Sequence, residues 1–303
     1  MIVVDTGSSD DSRNIVQRLG AKVFDFAWCD DFSAARNYSL EQASGDWIVV
    51  LDADEMIDPA NWLRLRELVT TTERDAFFLS EHNYTNQRFE GGFVPTKQQT
   101  PYTRGFKGYK VHAIARLFRN SPAIRYRGHV HEVIDTSLGE EQYEVVNIVI
   151  HHHGEESPQR PKEVRHRSYL RLMEQDLDSD PSGRLYGTAA SIRMHYLKDY
   201  ATAARYYESA IRLGWRPQDS REGWALCQYL AGDLEAAYDG YRALYDEKHV
   251  SVNLCINLAN LAVKRNEKPF AADLLERAIG LGVVDVKTRI SLEHNIRFLR
   301  DNT

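Results

Sequence analysis

Cysteine is scarce: Cys29, Cys227 and Cys255 are the three in 303 residues, an odd number without C-x-x-C spacing. That excludes a disulfide framework and a paired-cysteine metal or redox motif, and it gives reduced thiols in a cytosolic compartment. Long apolar runs are also missing. The stretch Trp47 to Leu51 is among the longest, far below the length that crosses a bilayer, so no transmembrane segment is expected. The sequence does not open on a cationic stretch followed by an apolar one, so no secretory leader is read. A basic surplus is lacking as well. Lys and Arg number 38 against 44 Asp and Glu, the net charge is -6, and the cations are scattered, which argues against nucleic acid as a partner.

What is present is enough apolar material, 43%, for packed cores, and a length beyond one ordinary domain. Up to about Thr72, short β-branched runs alternate with helical patterns. Ile2-Val4, Ala21-Phe24 and Trp47-Leu51 read as strands, and Ser12-Leu19, Phe32-Ala43 and Pro59-Thr70 as helices. Such alternation predicts an α/β fold, a mostly parallel sheet covered on both faces. Ala76-Leu79, Ala113-Phe118 and Val145-Ile150 supply further strands between Gly-rich and aromatic loops, those from Thr85 to Tyr109 being placed to shape a second substrate site.

After His151-His152-His153-Gly154 the texture becomes helical. Ala203, Ala237 and Ala271 recur every 34 residues, as do Tyr207, Tyr241 and Leu275. That period resembles the tetratricopeptide repeat, in which small residues let paired helices approach and large ones fill the gaps. The expected division is a sheet domain over 1–155 and an all-α repeat domain over 156–303.

The strongest chemical signal is DWIVVLDADE, a buried strand ending in Asp52-Ala53-Asp54-Glu55. Ligands of open α/β sheets bind beyond the carboxyl ends of strands. Two Asp residues one apart project to the same side of an extended segment, so Asp52 and Asp54 can share one ligand system. A hard cation, magnesium or manganese, accepts carboxylate oxygens and keeps positions for diphosphate oxygens. Asp5 ends another strand on the same rim. Its Asp5-Thr6-Gly7 tripeptide also occurs in the catalytic loops of aspartic proteases, but those need a second such loop on an all-β scaffold, and none occurs here.

Taken together in order, VVDTGSSD, DDFSAARN, GDWIVVLDADE, RLFRN and YRGHVHE resemble the family 2 glycosyltransferases of GT-A (Rossmann-like) fold. The branch that is similar holds lipopolysaccharide-core glucosyltransferases and enzymes fused to tetratricopeptide repeats. The resemblance covers roughly the first half of the chain. It implies transfer of a sugar from a nucleotide-sugar donor, a UDP-sugar, to a hydroxyl of a glycan, lipopolysaccharide or protein acceptor, with inversion. It further implies that Asp5 contacts uracil, Arg36 lies near the nucleotide, Asp52 faces ribose or metal, and Asp54 binds the cation, with His152 of the H-x-G segment as a further metal ligand. Neutralising the leaving group is the cation's task, and a carboxylate takes the acceptor's proton.

Glu132 in RGHVHE is the candidate base, with Asp135 and Glu55 as rivals and His131 as a possible ligand or acceptor contact. Arg116, Arg119, Arg125 and Arg127 stand before it, as diphosphate holders or as surface ion pairs. The repeats imply a protein partner, and the resemblance implies work in the cytoplasm or at the inner membrane face. Family members place another strand and helix before the strand equivalent to Ile2-Val4, so an incomplete start is expected. The alternative is a transferase-like domain, catalytically impaired, that serves as an interaction scaffold.

Overall fold

Short β-branched runs and capped helices form where the sequence places them. The computed structural model describes residues 1–86, 92–134, 139–154, 162–282 and 286–301. It separates into two compact units, Met1–Gln159 and Arg160–Thr303. The fold class is an α/β sheet domain followed by an all-α domain. The boundary expected between 155 and 156 lies outside the described residues.

The first unit runs β1 (Ile2–Asp5), α1 (Ser12–Arg18), β2 (Lys22–Asp25), α2 (Phe32–Glu41), β3 (Trp47–Val49), β4 (Glu55–Ile57), α3 (Asn61–Thr71), β5 (Ala76–Thr85), β6 (Phe93–Pro95), β7 (Gly108–Arg119), β8 (Tyr126–Arg127), β9 (Val133–Ile134) and β10 (Tyr143–His152). β1 and β2 form a parallel pair, and β8 pairs antiparallel with β9. The larger sheet has the order β3-β7-β5-β10-β4, with β6 on β7. The pairing in this sheet is mixed where the alternating pattern pointed to a mostly parallel one. β10 runs parallel to β5, whereas β7 runs antiparallel to β3, β5 and β6, and β4 antiparallel to β10. Parallel neighbours require a crossover of a dozen or more residues, usually a helix. The described residues hold no α-helix between α3 and the end of β10, so β7 returns directly alongside β5.

Three adjacent strands change from apolar to polar at one level. On β5, Phe77 and Leu79 are buried, and the same face continues as Glu81 and Asn83. On β10, Ile148 and Ile150 are followed by His152, and on β4 the buried Ile57 shares its face with Glu55. The register sets His152 opposite both Asn83 and Glu55. The core therefore ends in a polar row.

The second unit comprises α4 (Lys162–Ser179), α5 (Gly183–Ile192), α6 (Tyr200–Arg212), α7 (Pro217–Ala231), α8 (Leu234–Asp246), α9 (Val252–Lys264), α10 (Lys268–Gly280) and α11 (Val286–Asp301), each packed on its chain neighbours. The 34-residue period has a packing cause. Ala203, Ala237 and Ala271 are all 0% exposed, and Tyr207, Tyr241 and Leu275 are buried beside them. At Gly223 a Cβ would lie 2.5 Å from the Tyr207 ring, so glycine allows α7 to approach α6. One repeat later Asn257 stands at that position and donates a 3.0 Å hydrogen bond to the Tyr241 hydroxyl.

Candidate active site

One face of α2 fastens the segment that carries Glu132. Asp31 caps the helix by accepting from the Ala34 N–H. Ser33 Oγ donates to the Gly128 carbonyl at 2.6 Å, and the Phe32 N–H donates to the His129 carbonyl at 2.9 Å. Asn37 both donates to the Tyr126 carbonyl and accepts from its N–H. These positions recur at helical spacing, so DDFSAARN and YRGHVHE form one unit. Arg36 on this helix donates through Nε to Glu132 and lies 5.3 Å over the Tyr126 ring.

Arg36 also reaches Asp52, 2.8 Å from its Oδ1, while Arg116 holds the other oxygen at 2.7 Å. Arg116 comes from β7, is 4% exposed, and also donates to Glu55. The result is a continuous chain Glu132-Arg36-Asp52-Arg116-Glu55. Burial works against ionisation of Asp52, but the two guanidiniums outweigh it and hold the carboxyl below its usual range. Glu55 lacks that second cation. Burial pushes it up to about 7, with Arg116 opposing and Asp52 adding. Glu81, on the adjacent strand, is held down to about 2: burial opposes this, and hydrogen bonds from His112, Asn83 and Glu55 prevail.

Asp54 takes a different partner. The Glu55 N–H bonds to the Asp52 carbonyl at 3.0 Å, which closes a turn and takes Asp52 and Asp54 out of the extended conformation that would have aligned them. Asp52 turns to the arginines, and Asp54 Oδ2 lies 3.3 Å from His152 Nε2. The hydrogen bond from His152 is the main cause that lowers the Asp54 carboxyl, and the same bond raises the imidazole. His151 and His153 belong elsewhere. His151 Nδ1 meets the Tyr84 hydroxyl at 2.8 Å, and His153 Nε2 donates to the Tyr102 carbonyl. Burial, with His82 and His153 adding, pushes His151 down to about 4.

Asp54 and His152 suit a divalent cation. Donors on adjacent corners of a coordination sphere with bonds of about 2.1 Å sit about 3 Å apart, close to the 3.3 Å seen. A Cβ on Gly154 would lie 2.7 Å from His152 Nε2 and 3.2 Å from Asp54 Oδ2, so glycine keeps open the space on which the two donors converge. Among the described residues no group of three or more His, Cys, Asp or Glu is arranged to hold an ion. The protein thus offers two donors here, leaving the others to a ligand and water.

Asp5 is not joined to these groups by a printed contact. Its Oδ1 accepts from the Ser8 and Gly7 N–H groups at 2.8 and 3.2 Å, which lower its pKa and fix the turn after β1, and its strand packs on α2. Arg119 pairs with Asp75 and lies over Trp47, while Arg125 donates to the Ser121 and Ile124 carbonyls; both serve the fold. His131 has a φ of 51°, in the left-handed region. Asp135 lies outside the described residues. Sequence reasoning missed Glu81 and Asn83, although the turn from AFFL to SEHN within one strand signals where the core ends.

The profile of the family described as "Glycosyl transferase family 2" matches residues 1–120. A TPR repeat-containing protein of Synechococcus elongatus is 32% identical over 301 residues, covering 92% of this chain and 68% of that one. The chain belongs to glycosyl transferase family 2. The prophage-derived glycosyltransferase SunS of Bacillus subtilis is 23% identical to this family member over 214 residues, 70% of the chain, which spans 46% of SunS's length. Among solved structures, S. aureus TarS 1-349 in complex with UDP-GlcNAc is similar at a TM-score of 0.38 and 14% identity, over 82% of each chain. None of the described helices is long and apolar enough to cross a membrane.

Proposed function

We propose that the sheet domain transfers a sugar from a UDP-sugar to a hydroxyl of a glycan, lipopolysaccharide or protein acceptor, with inversion, using manganese or magnesium held by Asp54 and His152. The observation that carries this reading is the convergence, at one edge of the core, of Asp54 with His152 over an open glycine, beside the Glu132-Arg36-Asp52-Arg116 chain.

When bound, the cation supplies Lewis-acid neutralisation of charge on the leaving diphosphate. Asp5 contacts the base, and Asp52, fixed by two guanidiniums, faces the ribose. Glu132 is oriented by Arg36 and takes the acceptor hydroxyl's proton as the new glycosidic bond forms and the bond to diphosphate breaks. The helical repeats hold a protein partner or a protein acceptor, a reading supported by the repeat-based name of the Synechococcus relative. The test is a screen of uridine- and guanosine-diphosphate sugars against the full-length protein with manganese, reading release of nucleoside diphosphate, with Asp54→Ala as control. Turnover that depends on Asp54 supports the proposal. If calorimetry with manganese detects no donor binding, the domain is an interaction scaffold.

A further inference from the structure

Asn83 takes no part in the chemistry above, yet its amide meets three polar side chains at the row where the core ends. Its nitrogen donates to Glu81 Oε2 and lies 3.0 Å from His112 Nδ1, while its oxygen faces His152 Nδ1. The orientation of an amide is assigned from its partners, and here the partners leave one choice. Glu81 is 8% exposed and held as an acceptor-only carboxylate, so the amide nitrogen must turn to it. The amide oxygen is then presented to His152, and an oxygen can only accept. The proton of the neutral imidazole is therefore on Nδ1, and the lone pair on Nε2, the atom 3.3 Å from Asp54 Oδ2.

We infer that Asn83 is a positioning residue, fixed by Glu81, which holds His152 in the tautomer whose Nε2 lone pair faces the space between Asp54 and Gly154. The inference rests on the reading of Asp54 and His152 as a cation site only for its consequence. The hydrogen-bond order from Glu81 through Asn83 to His152 stands without it. Partners of this kind fix ring orientation at metal sites, and losing them weakens metal affinity by roughly 10- to 100-fold.

The test starts with the metal-free protein at about pH 9.5, well above the usual imidazole value. Nitrogen NMR of His152 is expected to show a single tautomer protonated on Nδ1. Glu81→Gln gives Asn83 a partner that donates as well as accepts, so its amide can reverse, and a mixture of tautomers is expected with little change in fold. Asn83→Leu is expected to give the mixture too, and to weaken binding of manganese in the presence of UDP about 10-fold or more, read by calorimetry. Wild-type His152 protonated on Nε2, or a tautomer unmoved by both substitutions, overturns the inference. A wild-type protein with the expected tautomer that binds no manganese with UDP instead overturns the cation-site reading and leaves the role of Asn83 intact.

Discussion

Asn37 and Tyr126 exchange two hydrogen bonds: the Asn37 Nδ2 donates to the Tyr126 carbonyl at 3.0 Å, and the Tyr126 N–H donates to Asn37 Oδ1 at 2.8 Å. An amide side chain here completes the pairing that a neighbouring strand would otherwise provide. It sets the distance between the helix that carries Arg36 and the segment that carries Glu132.

Asn37→Ala leaves one backbone donor and one acceptor without partners. A loss of about 1–3 kcal/mol of stability is expected, together with a fall in turnover at saturating donor, because Glu132 is no longer held against Arg36. Denaturant unfolding and steady-state kinetics check the two parts separately.

Gly154→Ala acts on the cation alone. The added methyl would stand 2.7 Å from His152 Nε2, in the space on which the two donors converge. Manganese-dependent UDP binding should fall at least about 10-fold, comparable to loss of a supporting partner, while the melting temperature changes little. Calorimetry beside a thermal melt separates the outcomes.

Gly223→Ala is the converse case. Its methyl would meet the Tyr207 ring at 2.5 Å between α6 and α7, an overpacking that typically costs about 1–3 kcal/mol. The loss should appear in the unfolding of the helical domain, with manganese binding unchanged.

The Asp54-His152 pair gives a pH signature in the metal-free protein. The imidazole is raised from 6.5, so its contribution is full below 6.5 and disappears as pH rises through the raised value. The carboxyl is lowered from 3.8, so its contribution is full above 3.8 and disappears as pH falls through the lowered value. The melting temperature of His152→Gln should therefore lie below that of wild type most clearly between about pH 4 and 6.5, and the gap should close at higher pH. Metal binding runs the other way. His152 must be neutral to ligate, so manganese affinity should rise with pH through the raised imidazole value.

Much of this was legible in the residues. Hydrophobic period and capping residues marked the early strands and helices, and a recurrence at 34 marked the repeats, because both depend on local spacing. The motifs also named Arg36, Asp52, Asp54, Glu132 and His152, which the structure brings into two adjoining clusters. How the residues divide between the clusters was not legible. The turn at Asp52 to Glu55 sends two carboxylates of one motif to different partners, and turn closure depends on a backbone bond that the residue pattern does not show. Glu81 and Asn83 were hidden for another reason: their role comes from lying beside β10, and strand register is a long-range property.

Register bears on the histidine run as well. Successive side chains of β10 alternate between faces, so a slip by a single residue would deliver His151 or His153 to the row that His152 now occupies. An imidazole would still arrive, which makes the run a spare copy of its own chemistry and a poor marker of correct alignment. What such a slipped strand would lose is the gap. With Gly154 displaced, the place beside Asp54 would be filled by a side chain, so the residue without one acts as the molecule's proofreading mark.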